Sequence, residues 1–151
     1  MAKILLLSGP NLNLLGEREP EHYGTTTLAE LVALAGETAA KLGHDVEHLQ
    51  SNHEGALVDA IHGARGRCAA IVINAGAFSH YAYAITDALA MFQGVKIEVH
   101  LSNPYAREQW RHVSVVSPVV DGTITGLRAE GYRLAIEAAA IRLAETTQEH
   151  T

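Results

Sequence analysis

Short apolar runs alternate with stretches of helical periodicity along the whole chain. Ile4–Ser8 is apolar up to its closing serine, the pattern of a strand covered on both faces. Thr27 to Leu42 opens on a Thr27/Glu30 capping-box pair and is closed by Gly43, which predicts a helix. Val46–Gln50 predicts a second strand. Gly55 to Arg65 carries Leu57, Val58 and Ile61 at helical spacing. Cys68–Ile73 is apolar throughout and predicts a third, fully covered strand. Tyr81 to Met91 is helical again, and Val95–Val99 predicts a fourth strand. Asn103-Pro104 supplies an N-cap followed by proline at the first position of a short helix. Val119–Ile124, interrupted by Asp121-Gly122, predicts a weaker fifth strand. Gly131 to Ala144 predicts a long closing helix, and Thr146 to Thr151 read as a flexible tail.

Strands that alternate with helices predict an α/β fold with a parallel sheet and right-handed crossovers. Five strands suit a flavodoxin-like three-layer sandwich in the order 2-1-3-4-5; barrels and six-stranded dinucleotide folds need a longer chain. The 151 residues are the size of one domain, taken as residues 1–145 followed by the tail 146–151. Composition narrows the function classes. With 48% hydrophobic and 19% charged residues the chain is not disordered. A formal net charge of −6 argues against a nucleic-acid or anionic-membrane surface, but not against an anionic small molecule held by local cations. Cys68 is the single cysteine, so neither an internal disulfide nor a cysteine-cluster zinc site is available. No signal-peptide pattern and no run of membrane-spanning length is present, which predicts a cytoplasmic location.

In such a sheet the ligand crevice lies beyond the carboxyl ends of the strands, where strand order reverses between strands one and three. Ser8-Gly9-Pro10-Asn11-Leu12-Asn13 follows strand one, and Asn74-Ala75-Gly76-Ala77-Phe78-Ser79-His80 follows strand three. Strand four ends in Glu98-Val99-His100-Leu101-Ser102-Asn103. Turn formation alone accounts for any one of these loops. It accounts less well for a glutamate and a histidine at the end of an apolar strand. Glu98 and His100 are two apart and share a strand face, so the carboxylate can fix the imidazole tautomer and favour its charged form. A general acid and a structural ion pair are both compatible with that spacing.

The connection from Leu14 to Thr27 carries Gly16 and Gly24 around Arg18 and Tyr23, as a lid does, although a solvated loop has the same composition. For Tyr23 to act as a base it needs cations beside its phenolate, and Arg18 and Arg111 are the candidates. Other chemistries fall away. The first loop has neither the phosphate-loop spacing nor GxGxxG, and the histidines show no metal-ligand spacing. Lys3 and Lys96 open strands at the far end from the crevice, so no lysine is placed for Schiff-base chemistry.

Taken in order, Ser8–Gly24, Gln50–Gly55, Asn74–His80, Glu98–Asn103 and Arg107–His112 resemble the motifs of the type II 3-dehydroquinate dehydratases, from about Ile4 to the closing helix. The first motif is long and specific; the others gain force as an ordered set. The resemblance implies the flavodoxin-like fold and dehydration of 3-dehydroquinate to 3-dehydroshikimate by anti elimination through an enolate, with no metal or organic cofactor. The step serves aromatic biosynthesis in the shikimate pathway or quinate breakdown. Tyr23 matches the base, with Arg18 its activator. Asn11 matches the residue that holds an enolate-stabilising water. His100 matches the acid for the departing hydroxyl, with Glu98 orienting it. Asn74, Leu101 and Ser102 match the carboxylate-binding positions, and His80 and Arg111 the contacts to substrate hydroxyls. Asp87 resembles a residue that enters the site from a neighbouring subunit. A homododecamer built as a tetramer of trimers is implied, with Glu54 near the same contact. Tyr81, Trp110 and Arg128 depart from the family pattern, Arg128 at a position where glycine is common. A relative acting on another cyclic hydroxy acid would share these motifs. A flavodoxin-like binding module would not need them.

Overall fold

The computed structural model describes residues 1–149. Five strands, β1 (Lys3–Ser8), β2 (Asp45–Gln50), β3 (Ala70–Asn74), β4 (Val95–His100) and β5 (Gly122–Thr125), form one sheet in the order β2-β1-β3-β4-β5. All four neighbouring pairs are parallel. This is the predicted order, and the reversal between β1 and β3 lies where the crevice was expected. The helices are α1 (Pro20–Tyr23), α2 (Leu28–Lys41), α3 (Glu54–Ala64), α4 (Tyr83–Met91) and α5 (Ala129–Glu149).

The alternation of side chains along each strand builds two separate cores. Ile4 and Leu6 of β1, Val72 of β3 and Val99 of β4 face α2 and α5, where Leu31, Ala35, Tyr132 and Ile136 complete the cluster. Leu5 and Leu7, Ile71 and Ile73 face α3 and α4, against Leu57, Ile61, Ile85 and Leu89. Full burial of one such leucine or isoleucine is worth roughly 2–3 kcal/mol, so the continuous apolar runs of β1 and β3 hold both layers on the sheet. The Thr27 N-cap of α2, one half of the predicted capping box, forms: Thr27 Oγ1 accepts from the Glu30 N–H at 3.2 Å. Lys96 is engaged away from the crevice, donating to the carbonyls of Leu89 and Phe92 at 3.0 and 2.9 Å and so capping the end of α4.

Three of the boundary differences from the sequence reading have clear local causes. The third strand starts at Ala70, because the N–H of Cys68 closes the end of α3 by bonding the carbonyl of Ala64. The fifth strand is Gly122–Thr125 rather than Val119–Ile124. Pro118 sits in a 3-10 turn over Ser117–Val119, and Val119 and Val120 pack against the α3–α4 core instead of joining the sheet. The closing helix begins at Ala129 and continues to Glu149, through residues 146–149 of the segment read as a tail. Arg142 pairs with Glu145 at 2.7 Å, and the hydroxyls of Thr146 and Thr147 bond back to the Leu143 carbonyl. The i,i+3 pair supports the helix through this polar stretch, and the back-bonds satisfy the two hydroxyls. Residues 150–151 of the predicted tail lie outside the described residues. Among the described residues no helix is long and apolar enough to cross a membrane.

Candidate active site

The carboxyl ends of β1, β3 and β4 open into a cavity of about 610 Å³, part of it open to solvent. Asn11, Arg18, Tyr23, Asn74, His80, His100, Leu101, Ser102 and Arg111 all line it. Glu98 stands directly behind His100, while Asp87 is exposed on α4 and is not part of this lining.

Backbone close approach shapes the floor. Gly9 follows β1 and donates its N–H to the Asn74 carbonyl at 2.8 Å. A Cβ on Gly9 would stand 2.3 Å from the Ala75 oxygen, so only glycine lets the two loops meet. Asn11 then adopts a left-handed conformation, φ 67°, which asparagine tolerates better than most residues. Its N–H bonds Asn52 Oδ1 at 3.0 Å, and Gln50 bonds the Gly9 carbonyl at 3.1 Å. The Gln50–Gly55 motif thus braces the first loop.

The lid is more ordered than its composition suggests. Residues 20–23 form the single turn α1, opened by Pro20, and the turn carries Tyr23 inward until it is 9% exposed. Two guanidinium groups reach the phenol oxygen. Arg18 Nη2 donates at 3.1 Å, its guanidinium carbon 4.2 Å from the ring centre. Arg107 Nη1 donates at 2.7 Å and also reaches Ser102 Oγ at 3.2 Å. Negative charge forming on that oxygen meets two fixed cations in a partly dry site. The expectation that Arg111 would serve Tyr23 is therefore corrected: Arg111 stacks over Trp110 and pairs with Glu108. Arg107 takes its place. The sequence reading passed over it because its position depends on two short 3-10 turns, Pro104–Ala106 and Gln109–His112, which no periodicity announces. The usable signal was Asn103-Pro104. Asn103 Oδ1 accepts from the Tyr105 N–H at 3.1 Å and starts the turn that brings Arg107 back over Ser102.

Glu98 and His100 form the second polar centre, on the sheet face opposite Asn74. Glu98 is fully buried and accepts from His100 Nε2 at 2.6 Å, Ser114 Oγ at 2.9 Å, Thr123 Oγ1 at 3.3 Å and the Ser117 hydroxyl. Burial opposes its ionisation, but the bonds from His100, Ser117 and Ser114 outweigh it and hold the carboxyl below the usual range. With Nε2 occupied by Glu98, Nδ1 is the ring nitrogen left to exchange a proton with a ligand. His80 is fixed differently. Its Nδ1 bonds the Val113 carbonyl at 2.7 Å, its ring meets Trp110 edge-on at 5.4 Å, and burial pushes its pKa down. A neutral His80 with a free Nε2 suits hydroxyl recognition. Arg128 sits at φ 53° and donates to the Glu21 carbonyl at 3.4 Å, touching the lid from behind. Among the described residues no group of three or more His, Cys, Asp or Glu is arranged to hold a metal ion.

This arrangement offers a phenol flanked by cations, an imidazole backed by a carboxylate and a pocket of amide and hydroxyl groups. It can move a proton on and off a small anionic molecule. Residues 2–140 match the family model described as dehydroquinase class II. A protein of Bacillus licheniformis named 3-dehydroquinate dehydratase is 54% identical over 136 residues, which span 90% of this chain and 94% of that one. A Pseudomonas putida protein named 3-dehydroquinate dehydratase 2 is 53% identical over 146 residues, spanning 97% and 95%. The crystal structure of a type II dehydroquinase from Propionibacterium acnes superposes with a TM-score of 0.89 at 48% identity, covering 93% of this chain and 97% of that one. The chain belongs to the class II dehydroquinase family.

Proposed function

We propose that this chain is a hydro-lyase that converts 3-dehydroquinate to 3-dehydroshikimate and water, a step of the shikimate pathway. The observation that carries this reading is the Tyr23 phenol oxygen held between Arg18 and Arg107 on the same cavity as the His100–Glu98 pair.

The substrate carboxylate binds at Asn74 and the Leu101–Ser102 segment, and its ring hydroxyls meet His80 and Arg111. Tyr23, as phenolate, takes the proton from the carbon next to the ketone. The electron pair moves onto the ketone oxygen as an enolate, stabilised by a water that Asn11 holds. The enolate collapses, the new double bond forms, and the departing hydroxyl leaves as water with a proton from His100. Glu98 stabilises the imidazolium before that transfer. Each positioned proton-transfer group supplies roughly 10²–10⁴-fold, and the lid keeps bulk water from both. No step requires a metal or an organic cofactor. The chain acts as one catalytic domain in the cytoplasm, assembled as a homododecamer of trimers in which Asp87 completes a neighbour's site.

The test is to mix the protein with 3-dehydroquinate and follow the ultraviolet absorbance of the conjugated enone product. Enone formation that survives borohydride treatment is the expected result, since no lysine Schiff base is involved. Absence of enone from a folded, oligomeric sample would refute the reading and direct the search to other cyclic hydroxy acids.

A further inference from the structure

Asn74 is buried, yet its amide lines the cavity, so something must decide which way that amide faces. Two bonds do. The Gly76 N–H meets Asn74 Oδ1 at 3.1 Å, and Asn74 Nδ2 donates to the Tyr132 hydroxyl at 3.0 Å. Together they leave one Nδ2 hydrogen for a ligand.

Tyr132 arrives from α5 and is 1% exposed. Having accepted from Asn74, its phenol must place its own proton on a partner, because an unpaired buried donor is costly. Ser8 supplies the hydroxyl beside it: Ser8 is fully buried next to Asn74 in the strand register and interacts with the phenol. Ser8 Oγ lies in turn 3.0 Å from His48 Nε2, on the neighbouring strand and the same sheet face. The donors and acceptors balance in one direction. Asn74 donates to Tyr132, Tyr132 to Ser8, and Ser8 to an unprotonated His48 nitrogen. Reversing the chain would put two donors on the phenol oxygen and leave its proton without an acceptor. Burial favours the neutral His48 that this direction needs, and pushes the Tyr132 phenol up to about 12, so it keeps its proton. A phenylalanine at 132 would serve the apolar core but could not hold the amide.

We propose that Tyr132, through the Ser8–His48 chain behind it, is the positioning residue that presents the Asn74 amide to a substrate carboxylate. This rests on the reading of Asn74 as a carboxylate ligand. The experiment measures turnover of 3-dehydroquinate by the wild type, Tyr132→Phe and Ser8→Ala across pH. KM rises about tenfold in Tyr132→Phe, the loss of roughly one well-placed hydrogen bond, and about threefold in Ser8→Ala. In both, kcat stays within about twofold and its pH profile does not move, because the proton-transferring groups are untouched. A folded Tyr132→Phe variant with wild-type KM, or a loss carried by kcat, overturns the proposal. Where Tyr132→Phe does not fold, Ser8→Ala decides on the same criteria. If the wild type itself fails to turn over 3-dehydroquinate, the functional reading has failed instead. The chain is then judged by NMR hydrogen exchange of the Asn74 side-chain amide. Exchange at least about tenfold faster in Tyr132→Phe supports it, and equal exchange rejects it.

Discussion

The guanidinium of Arg107 lies closer to the Tyr23 phenol oxygen, at 2.7 Å, than that of Arg18, at 3.1 Å, although 84 residues separate Arg107 from Tyr23 in the chain. Arg107 is also the more deeply placed of the pairing groups, its side chain 4% exposed, and it ties the lid to the core by an ion pair with Glu19 at 3.3 Å. A cation in that position is screened by salt and solvent less than an exposed one would be.

Arg107→Met and Arg18→Met are therefore both expected to lower kcat, by about 10²–10³-fold, since each removes a charge from the oxygen that must carry it. Arg111→Met, whose parent guanidinium lies over Trp110, is expected to raise KM with a smaller change in kcat. Steady-state kinetics at saturating substrate separate the two classes. An Arg107→Met variant with wild-type kcat would contradict the assignment.

His100→Ala should break the reaction in half. Proton removal belongs to Tyr23 and leaving-group protonation to His100, so solvent deuterium should still enter the substrate beside the ketone while dehydration drops by at least about 10²-fold. Mass spectrometry of recovered substrate in heavy water gives the comparison. Loss of exchange and dehydration in equal measure would remove His100 from the acid role.

Glu98 makes a prediction about stability. Its folded-state pKa lies below the unfolded value of about 4.3, because the donors around it outweigh its burial. The ionised carboxylate then contributes stability that is fully present above pH of about 4.3 and is lost as pH falls through the folded value. Urea unfolding should show the wild type more stable than Glu98→Gln at pH 7, by roughly 1–3 kcal/mol, with the gap closing toward pH 3. A gap that stays constant or widens in acid would mean that Glu98 is not held ionised.

Asp87 is exposed on α4 and absent from its own chain's cavity, as a residue serving a neighbour would be. Asp87→Ala is expected to lose activity, and mixing it with inactive Tyr23→Phe chains under reassembly should restore part of it. Some sites would then combine an intact Tyr23 with an intact neighbouring Asp87. Mixtures that stay as inactive as the parents would rule out the shared site.

The sheet was legible in the sequence because β1 and β3 are unbroken apolar runs, and a run of that kind has few places to go but the centre of a parallel sheet. The Thr27 N-cap of α2 and the Asn103-Pro104 turn were legible because each is a local bond between near neighbours. The end of the fifth strand was not, since Val119 and Val120 are as apolar as strand residues and only Pro118 and the Glu98-bound Ser117 keep them out of the ladder. The grouping of Asn11, Tyr23, Asn74 and His100 followed from the rule that loops at one edge of a parallel sheet converge. Arg107 escaped that rule because its position depends on two 3-10 turns in a row, which no periodicity announces. The Tyr132–Asn74 bond escaped it because a tyrosine on a core helix reads as an apolar residue until its hydroxyl is placed.

The account turns most on Tyr23 as the base. The direct measurement compares wild type and Tyr23→Phe for turnover of 3-dehydroquinate and for solvent deuterium entry beside its ketone, with thermal unfolding recorded on the same samples. The account predicts that Tyr23→Phe keeps its fold and loses both signals together, by about 10³-fold or more. A folded Tyr23→Phe enzyme that still exchanges that proton at the wild-type rate would contradict it.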